Sequence, residues 1–298
     1  MNEIRMKARA KINISLDVIR KREDGYHDLS MIMQTINLYD KVNIKLGAKK
    51  ASPITIKTNL SFLPTDDKNL VYKVIEYMKT VYELKENIFV DLYKVIPIAA
   101  GLAGGSADAA ATIKAMNLLF GLELKVEEMI AIGKQFGADI PYCLVEGTVL
   151  AEGIGDEMTY LQPFPECIVV IAKPNISVST AFVYGNLKLD QVKKRPNNPL
   201  LIEAINKGDF GIISKNLCNV LEEVTIPEYP VIEQIKDSML LHGASGALMS
   251  GSGSAVFGLF EDKQQAVLAT SILKKQEHIK FAYATTVYNR ERDSDHGQ

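Results

Sequence analysis

The sequence predicts an α+β protein of two domains. Segments whose apolar residues alternate, as in strands, are interspersed with segments whose apolar residues recur three or four apart, as in helices. The stretch LQPFPE at 161–166, with two prolines, interrupts this pattern near the middle. The 298 residues, 47% hydrophobic and 23% charged, are enough for two compact cores. The expected division is 1–161 and 162–298.

Ile12, Ile14, Leu16 and Val18 alternate with polar residues, which predicts a half-buried strand with Lys11 and Asn13 on its other face. KREDG then supplies a turn, with Gly25 free to take positive φ. Residues 29–38 read as a second strand, and Val42, Ile44, Leu46, Ile54 and Ile56 extend a mostly antiparallel sheet. Leu70, Val74, Tyr77, Met78 and Val81 have helical spacing. NIFVDLYKVIP is a strand closed by Pro97. Beyond a glycine-rich stretch, Ala109, Ile113, Met116 and Phe120 share one helical face, and Gly121 suits the C-cap. A helix over 126–136 ends at Gly137, and ADIPYCLVEGTVLAEGIGDEM reads as turn and strand. After the boundary, CIVVIAKP is a buried strand and QVKKRPNNP a loop. Helices are expected near 200–206, 212–221 and 229–241, and ALMSGSGSAVFGLF reads as strand, glycine turn, strand. The polar tail NRERDSDHGQ is expected to fray.

Composition excludes several function classes. Lys and Arg number 34 against 36 Asp and Glu, a net charge of −2 without a nucleic-acid footprint. Arg20, Lys21 and Arg22 read as a solvated turn. Cys143, Cys167 and Cys218 fit neither a disulfide framework nor a zinc motif, and read as small hydrophobes in a reducing compartment. MNEIRMKARAKIN has no apolar h-region, so no signal peptide is expected. No apolar run is long enough to span a bilayer. The expectation is a soluble, cytoplasmic protein, with monomer and homodimer both open.

The stretch IPIAAGLAGGSADAAA, from Ile96 to Ala111, is where chemistry concentrates. Gly101, Gly104 and Gly105 permit conformations that turn several N–H groups toward one point. A helix starts directly afterwards, so its unpaired N–H groups and dipole face the same place. Ser106 stands at that entrance, where its hydroxyl would cap the helix or ligate a metal. The alternative is a plain glycine turn with Ser106 as N-cap. The lysine-bearing phosphate loop, the dinucleotide fingerprint and the protein-kinase motifs are all absent.

ARAKINISLDV, DGYH, GADIPY and SGSGSAVFG occur in that order around the glycine stretch. Together they resemble the GHMP family of small-molecule kinases across nearly the whole chain. One departure is Arg9, where the family often has proline. The resemblance implies an N-terminal domain like ribosomal S5 domain 2, a ferredoxin-like C-terminal domain, and an active site in the cleft between them. It implies ATP and Mg²⁺, with Pro97, Ile98, Ala99, Ala100, Gly101, Leu102, Ala103, Gly104, Gly105, Ser106 and Ala107 lining the nucleotide phosphates. Ser106 is the implied metal ligand, Asp108 a weaker candidate that also suits the helix dipole. Asn69 and Lys94 match positions beside the adenine; read alone, they are a helix N-cap and a solvated strand end.

The family's catalytic pair maps onto Lys11 and Asp139. In isolation these read as a solvated strand face and a turn-forming Asp. The implied acceptor is a cytidyl-diphosphate polyol. Tyr26 and His27 would grip its cytosine, as aromatic rings do with unstacked bases. Tyr184 would close the sandwich, with Phe182 as the alternative register, and Thr180 would lie near the ribose. Asn13, Gly251 and Gly253 complete the implied substrate set. The rival readings are a homoserine, mevalonate or sugar kinase of the same family, and a nonenzymatic nucleotide sensor.

Overall fold

The computed structural model describes residues 2–47 and 52–290. The expectation of a frayed tail falls mostly on 291–298, outside the described residues. In chain order the elements begin with β1 (Glu3–Lys21), β2 (His27–Leu46), β3 (Ile54–Thr58), α1 (Leu70–Val81), β4 (Ile88–Tyr93), α2 (Gly104–Phe120), α3 (Val126–Lys134) and α4 (Ile140–Val145). Next come β5 (Thr148–Gly153), β6 (Glu157–Tyr160), β7 (Ile168–Pro174), α5 (Thr180–Asn186), α6 (Asn198–Lys207), α7 (Phe210–Lys215) and β8 (Cys218–Asn219). The last are α8 (Glu222–Glu228), α9 (Val231–Leu241), β9 (Gly246–Met249), β10 (Val256–Phe260), α10 (Lys263–Lys274) and β11 (Ile279–Thr286).

Two compact units form, and neither is continuous in sequence. One holds Met1–Lys11 with Leu38–Val145, the other Ile12–Asn37 with Glu146–Gln298. A single cut at Leu161 describes chain order rather than these units, because β1 and β2 each begin in one and end in the other. One sheet has the order β3-β4-β2-β1-β8, with β5 on β2 and β6 on β5.

In the first unit β3 runs parallel to β4, and β4 is antiparallel to residues 41–46 of β2. The parallel pair departs from the expected antiparallel run; α1 supplies the crossover between its strands, and β4 enters the sheet between β3 and β2. Helix α2 packs on α1 and α4, and α3 packs on α4. From Ala107 to Ile113 every α2 residue is buried, and its alanines let neighbours approach closely. A Cβ at Gly133 would stand 2.7 Å from Ile140 Cγ2, so glycine lets α3 lie against the start of α4.

In the second unit β5 is antiparallel to residues 29–34 of β2, and β8 is parallel to β1 with Ser15 opposite Cys218. A four-stranded antiparallel sheet, β11-β7-β10-β9, carries α9 and α10 packed against it. Among the described residues no helix is long and apolar enough to cross a membrane. All three cysteines are free and buried.

Three expectations are corrected. The first strand is not half-buried: Ala10–Val18 is buried on both faces, because the strand is interior and its polar residues have partners. The segment after Gly137 contains α4, with Pro141 in the first turn, where its missing N–H costs nothing. The helix expected over 212–221 ends at Lys215 and gives way to β8, whose Asn219 is used as described below.

Candidate active site

Strand β1 carries Lys11, whose residue is only 4% exposed, so a solvated face is excluded. Its backbone N–H donates to Leu102 O at 3.2 Å, which ties the strand to the middle of the glycine stretch. In that stretch Ala99, Gly101 and Ala103 have φ of 50°, 76° and 56°. Alternating left-handed residues turn backbone N–H groups toward one concave side. Two of the three are alanines, and such strain persists only where surrounding contacts over-determine it. Between them Ala100 and Leu102 are buried, while Ile98, Ala99 and Gly105 are exposed.

Helix α2 starts at Gly104 behind Ala103, and among the described residues no side chain caps it. Ser106 is the third helical residue, which corrects the reading of Ser106 as N-cap. The first-turn N–H groups therefore lack a side-chain partner, the condition for holding an anion. A Cβ on Gly104 would stand 3.0 Å from Ile96 Cγ2, so the loop closes on itself there; at Gly105 it would meet only Leu70 Cδ1 at 3.8 Å. Gly105 thus leaves room above the helix start. Pro97 is half-buried at the loop's beginning and Ala107 buried at its end. Among the described residues no three His, Cys, Asp or Glu side chains cluster to hold a metal. The residues here fit a divalent cation only as one that arrives on phosphates, and the half-buried Ser106 hydroxyl is a side-chain oxygen at the helix start.

Beneath the loop lies a buried ion triad that the sequence did not suggest. The Lys94 ammonium bonds the Asp40 carboxylate and, at 2.5 Å, Asp108 Oδ2. Asp40 Oδ1 accepts the N–H groups of Val95 and Ile96, the latter at 2.8 Å. Asn59 clamps the Lys94 backbone, accepting its N–H at 2.7 Å and donating to its carbonyl at 3.0 Å. Lys94 is therefore no solvated strand end, and Asp108 faces Lys94 inside the protein. Burial would lower the Lys94 pKa, but the two carboxylates outweigh it and the net shift is upward. Burial pushes the Asp108 carboxyl up to about 8, against the pull of Lys94. Asp40 was detectable in principle as the lone carboxylate in the strand segment INLYDKVNI, on the buried side with Leu38 and Val42.

Asn69 is the N-cap of α1, accepting Val71 N–H at 2.9 Å and donating to Pro64 O at 2.7 Å. Asp139 is half-buried directly before α4, and its backbone carbonyl accepts the Cys143 N–H at 3.1 Å. The close Gly133–Ile140 packing fixes the backbone that follows it.

In the second unit, Asn13 is fully buried; its Oδ1 accepts the Gly251 N–H at 3.1 Å and its Nδ2 faces Met31 Sδ at 3.4 Å. Gly251 and Gly253 are buried in the turn between β9 and β10, with φ of 57° and 91°. A Cβ at Gly253 would lie 2.8 Å from Met249 Sδ, so only glycine fits. Asn219 holds the same turn, donating to Met249 O and Gly251 O at 2.9 and 2.8 Å. The Thr180 hydroxyl meets the Ser252 hydroxyl at 2.8 Å, joining the α5 start to this turn.

Tyr26 is 61% exposed beyond the Arg22–Gly25 turn, where Arg20 and Arg22 pair with Asp28. The His27 and Tyr184 rings lie 5.2 Å apart at 42°. This brings together two of the three rings expected around a base. Phe182, two residues earlier on α5, is 40% exposed and outside that pair. Burial and the nearby Lys21 charge lower the His27 pKa, which favours the neutral imidazole.

Comparison with known proteins accords with this arrangement. The family model for the GHMP kinases N terminal domain matches residues 69–147, and that for the GHMP kinases C terminal matches 201–278. A 4-diphosphocytidyl-2-C-methyl-D-erythritol kinase of Lachnoclostridium phytofermentans is 52% identical over 97% of this chain and 98% of its own. One of Lachnospira eligens is 48% identical over 97% and 99%. A crystal structure of 4-(cytidine 5'-diphospho)-2C-methyl-D-erythritol kinase superposes with a TM-score of 0.82 at 28% identity, covering 96% of this chain and all of that one. The homoserine kinase of Cytophaga hutchinsonii shares the fold, with a TM-score of 0.74 at 22% identity over 96% and 95% of the two chains. By family models and full-length relatives alike, the chain belongs to the GHMP kinases, enzymes that transfer phosphoryl groups to small molecules.

Proposed function

We propose that the enzyme transfers the γ-phosphoryl group of ATP to the 2-hydroxyl of 4-diphosphocytidyl-2-C-methyl-D-erythritol, releasing ADP, in the non-mevalonate route to isoprenoid precursors. The proposal includes an N-terminal family domain over 1–161 like ribosomal S5 domain 2, a ferredoxin-like C-terminal domain over 162–298, and chemistry in the cleft between them. One geometric observation supports this acceptor over homoserine, mevalonate or a sugar: the His27–Tyr184 ring pair, with exposed Tyr26 beside His27 in sequence. Aromatic side chains gathered here offer faces to a flat base, which those other acceptors lack. The relatives at 48% and 52% identity bear the name of the cytidyl kinase, which supports the same reading.

Phosphoryl transfer asks the protein to align the hydroxyl with the γ-phosphorus and to meet the developing charge. The left-handed loop and the α2 start would hold the phosphates by backbone N–H groups, with the helix dipole already oriented. Asn69 would flank the adenine end, while Lys94 would act from beneath the loop through its ion triad. Lys11, buried and so poorly screened, would stabilise the nascent alkoxide beside Asp139. Asp139 would take the hydroxyl proton as the acceptor O–P bond forms and the bond to the β–γ bridging oxygen breaks. ADP would leave with that electron pair. Mg²⁺, riding on the phosphates beside Ser106, would supply neutralising charge. In the second unit Asn13, Gly251, Gly253 and Thr180 would shape the floor under the cytidyl end.

The test is Asp139→Asn, which keeps shape and removes the base. Its kcat is expected to fall about 100- to 10,000-fold, with ATP affinity within about threefold of the parent enzyme. Turnover near that of the parent would contradict the assignment.

A further inference from the structure

We propose that Asp40 is a positioning residue for the nucleotide: with Lys94 and Asp108 it forms a buried strut that sets the mouth of the phosphate loop. The inference rests on the loop being the nucleotide-phosphate site. It adds a residue to which neither the sequence nor the comparisons assign a part.

The strut joins both ends of the loop. Asp40 Oδ1 takes the amides of Val95 and Ile96, where the loop begins. Its other oxygen takes the Lys94 ammonium, which reaches Asp108 on the second turn of α2, just past the loop's end. A Cβ on Gly104 would come within 3.5 Å of Lys94 Nζ, so the ammonium lies directly under the helix start. The side chains of Lys94, Asp40 and Asp108 are 2%, 0% and 4% exposed, so solvent does not loosen the arrangement.

Such a group brings little net stability, since the cost of burying ionisable side chains offsets most of their attraction. What it brings is directional geometry at a strained place. Ala99, Gly101 and Ala103 all hold left-handed φ, and that alternation needs fixed ends to persist. Lys11 N–H fixes the middle through Leu102 O, and the strut fixes the ends. Loosening it lets the loop relax toward ordinary φ, which turns N–H groups away from the phosphates.

Asp40→Asn tests this. The amide oxygen can still accept from Val95 and Ile96, but the amide nitrogen then faces the Lys94 ammonium and the strut opens. Titration with ATP alone, followed by steady-state kinetics, is expected to show Kd and KM for ATP raised about tenfold or more. KM for the cytidyl acceptor should stay within about threefold. Asp108→Ala, which removes the second partner of Lys94 altogether, should show the same split, with KM for ATP raised about tenfold. It decides the matter if Asp40→Asn does not fold. A fall in Tm with unchanged ATP affinity would make the triad structural only and overturn the proposal. Failure of the parent enzyme itself to bind ATP would overturn the loop assignment along with it.

Discussion

Tyr184 is the second ring the sequence points to and Phe182 the alternative register, both aromatic and two residues apart on one short segment. A helix separates them by about 200° around its axis, and α5 turns only Tyr184 to His27. The two truncations should therefore differ. Tyr184→Ala is expected to raise KM for the cytidyl acceptor about 5- to 150-fold, the equivalent of losing about 1–3 kcal/mol of base stacking. Phe182→Ala should leave it within about threefold, and KM for ATP should hold in both. Equal effects from the two would remove the ring-pair assignment. Residues of this kind were legible as types and positions, but their partners were not. Lys11 and Asn13 looked like an exposed strand face because polar alternation ordinarily means solvent. Burial with a dedicated partner, as Asn13 has in Gly251, leaves the same pattern in the sequence.

Elements with strong local signals matched their expectation closely. Helix α1 runs from Leu70 to Val81 behind the Asn69 cap, and α2 ends at Gly121 in the left-handed conformation expected of a C-cap. Those missed were the ones local chemistry disguises. Pro141 and Pro227 hid α4 and α8, although the first sits in an opening turn and the second near a helix end. Two-residue β8 has no periodicity to read and exists only because β1 offers it an edge. The α1 cap also allows a separate check, because Asn69 spends its carboxamide on Val71 N–H and Pro64 O. Asn69→Ala should cost about 1 kcal/mol in urea unfolding even without nucleotide. No loss of stability would mean that the side chain is free for adenine alone.

At the scale of the whole molecule, the ordered set of motifs made the family legible before any coordinates. The interleaving of the two compact units was not, because it depends on β1 and β2 each running to 19 and 20 residues. Alternation shows that a strand exists, and says little about where its neighbours change along its length. The central claim, an ATP-dependent kinase of a cytidyl polyol, is tested most directly by ADP release coupled to NADH oxidation, with each acceptor supplied in turn. Rapid ADP release with 4-diphosphocytidyl-2-C-methyl-D-erythritol, and background rates with homoserine, mevalonate and simple sugars, is the expected result. Background rates with the cytidyl acceptor alongside turnover of homoserine would contradict it.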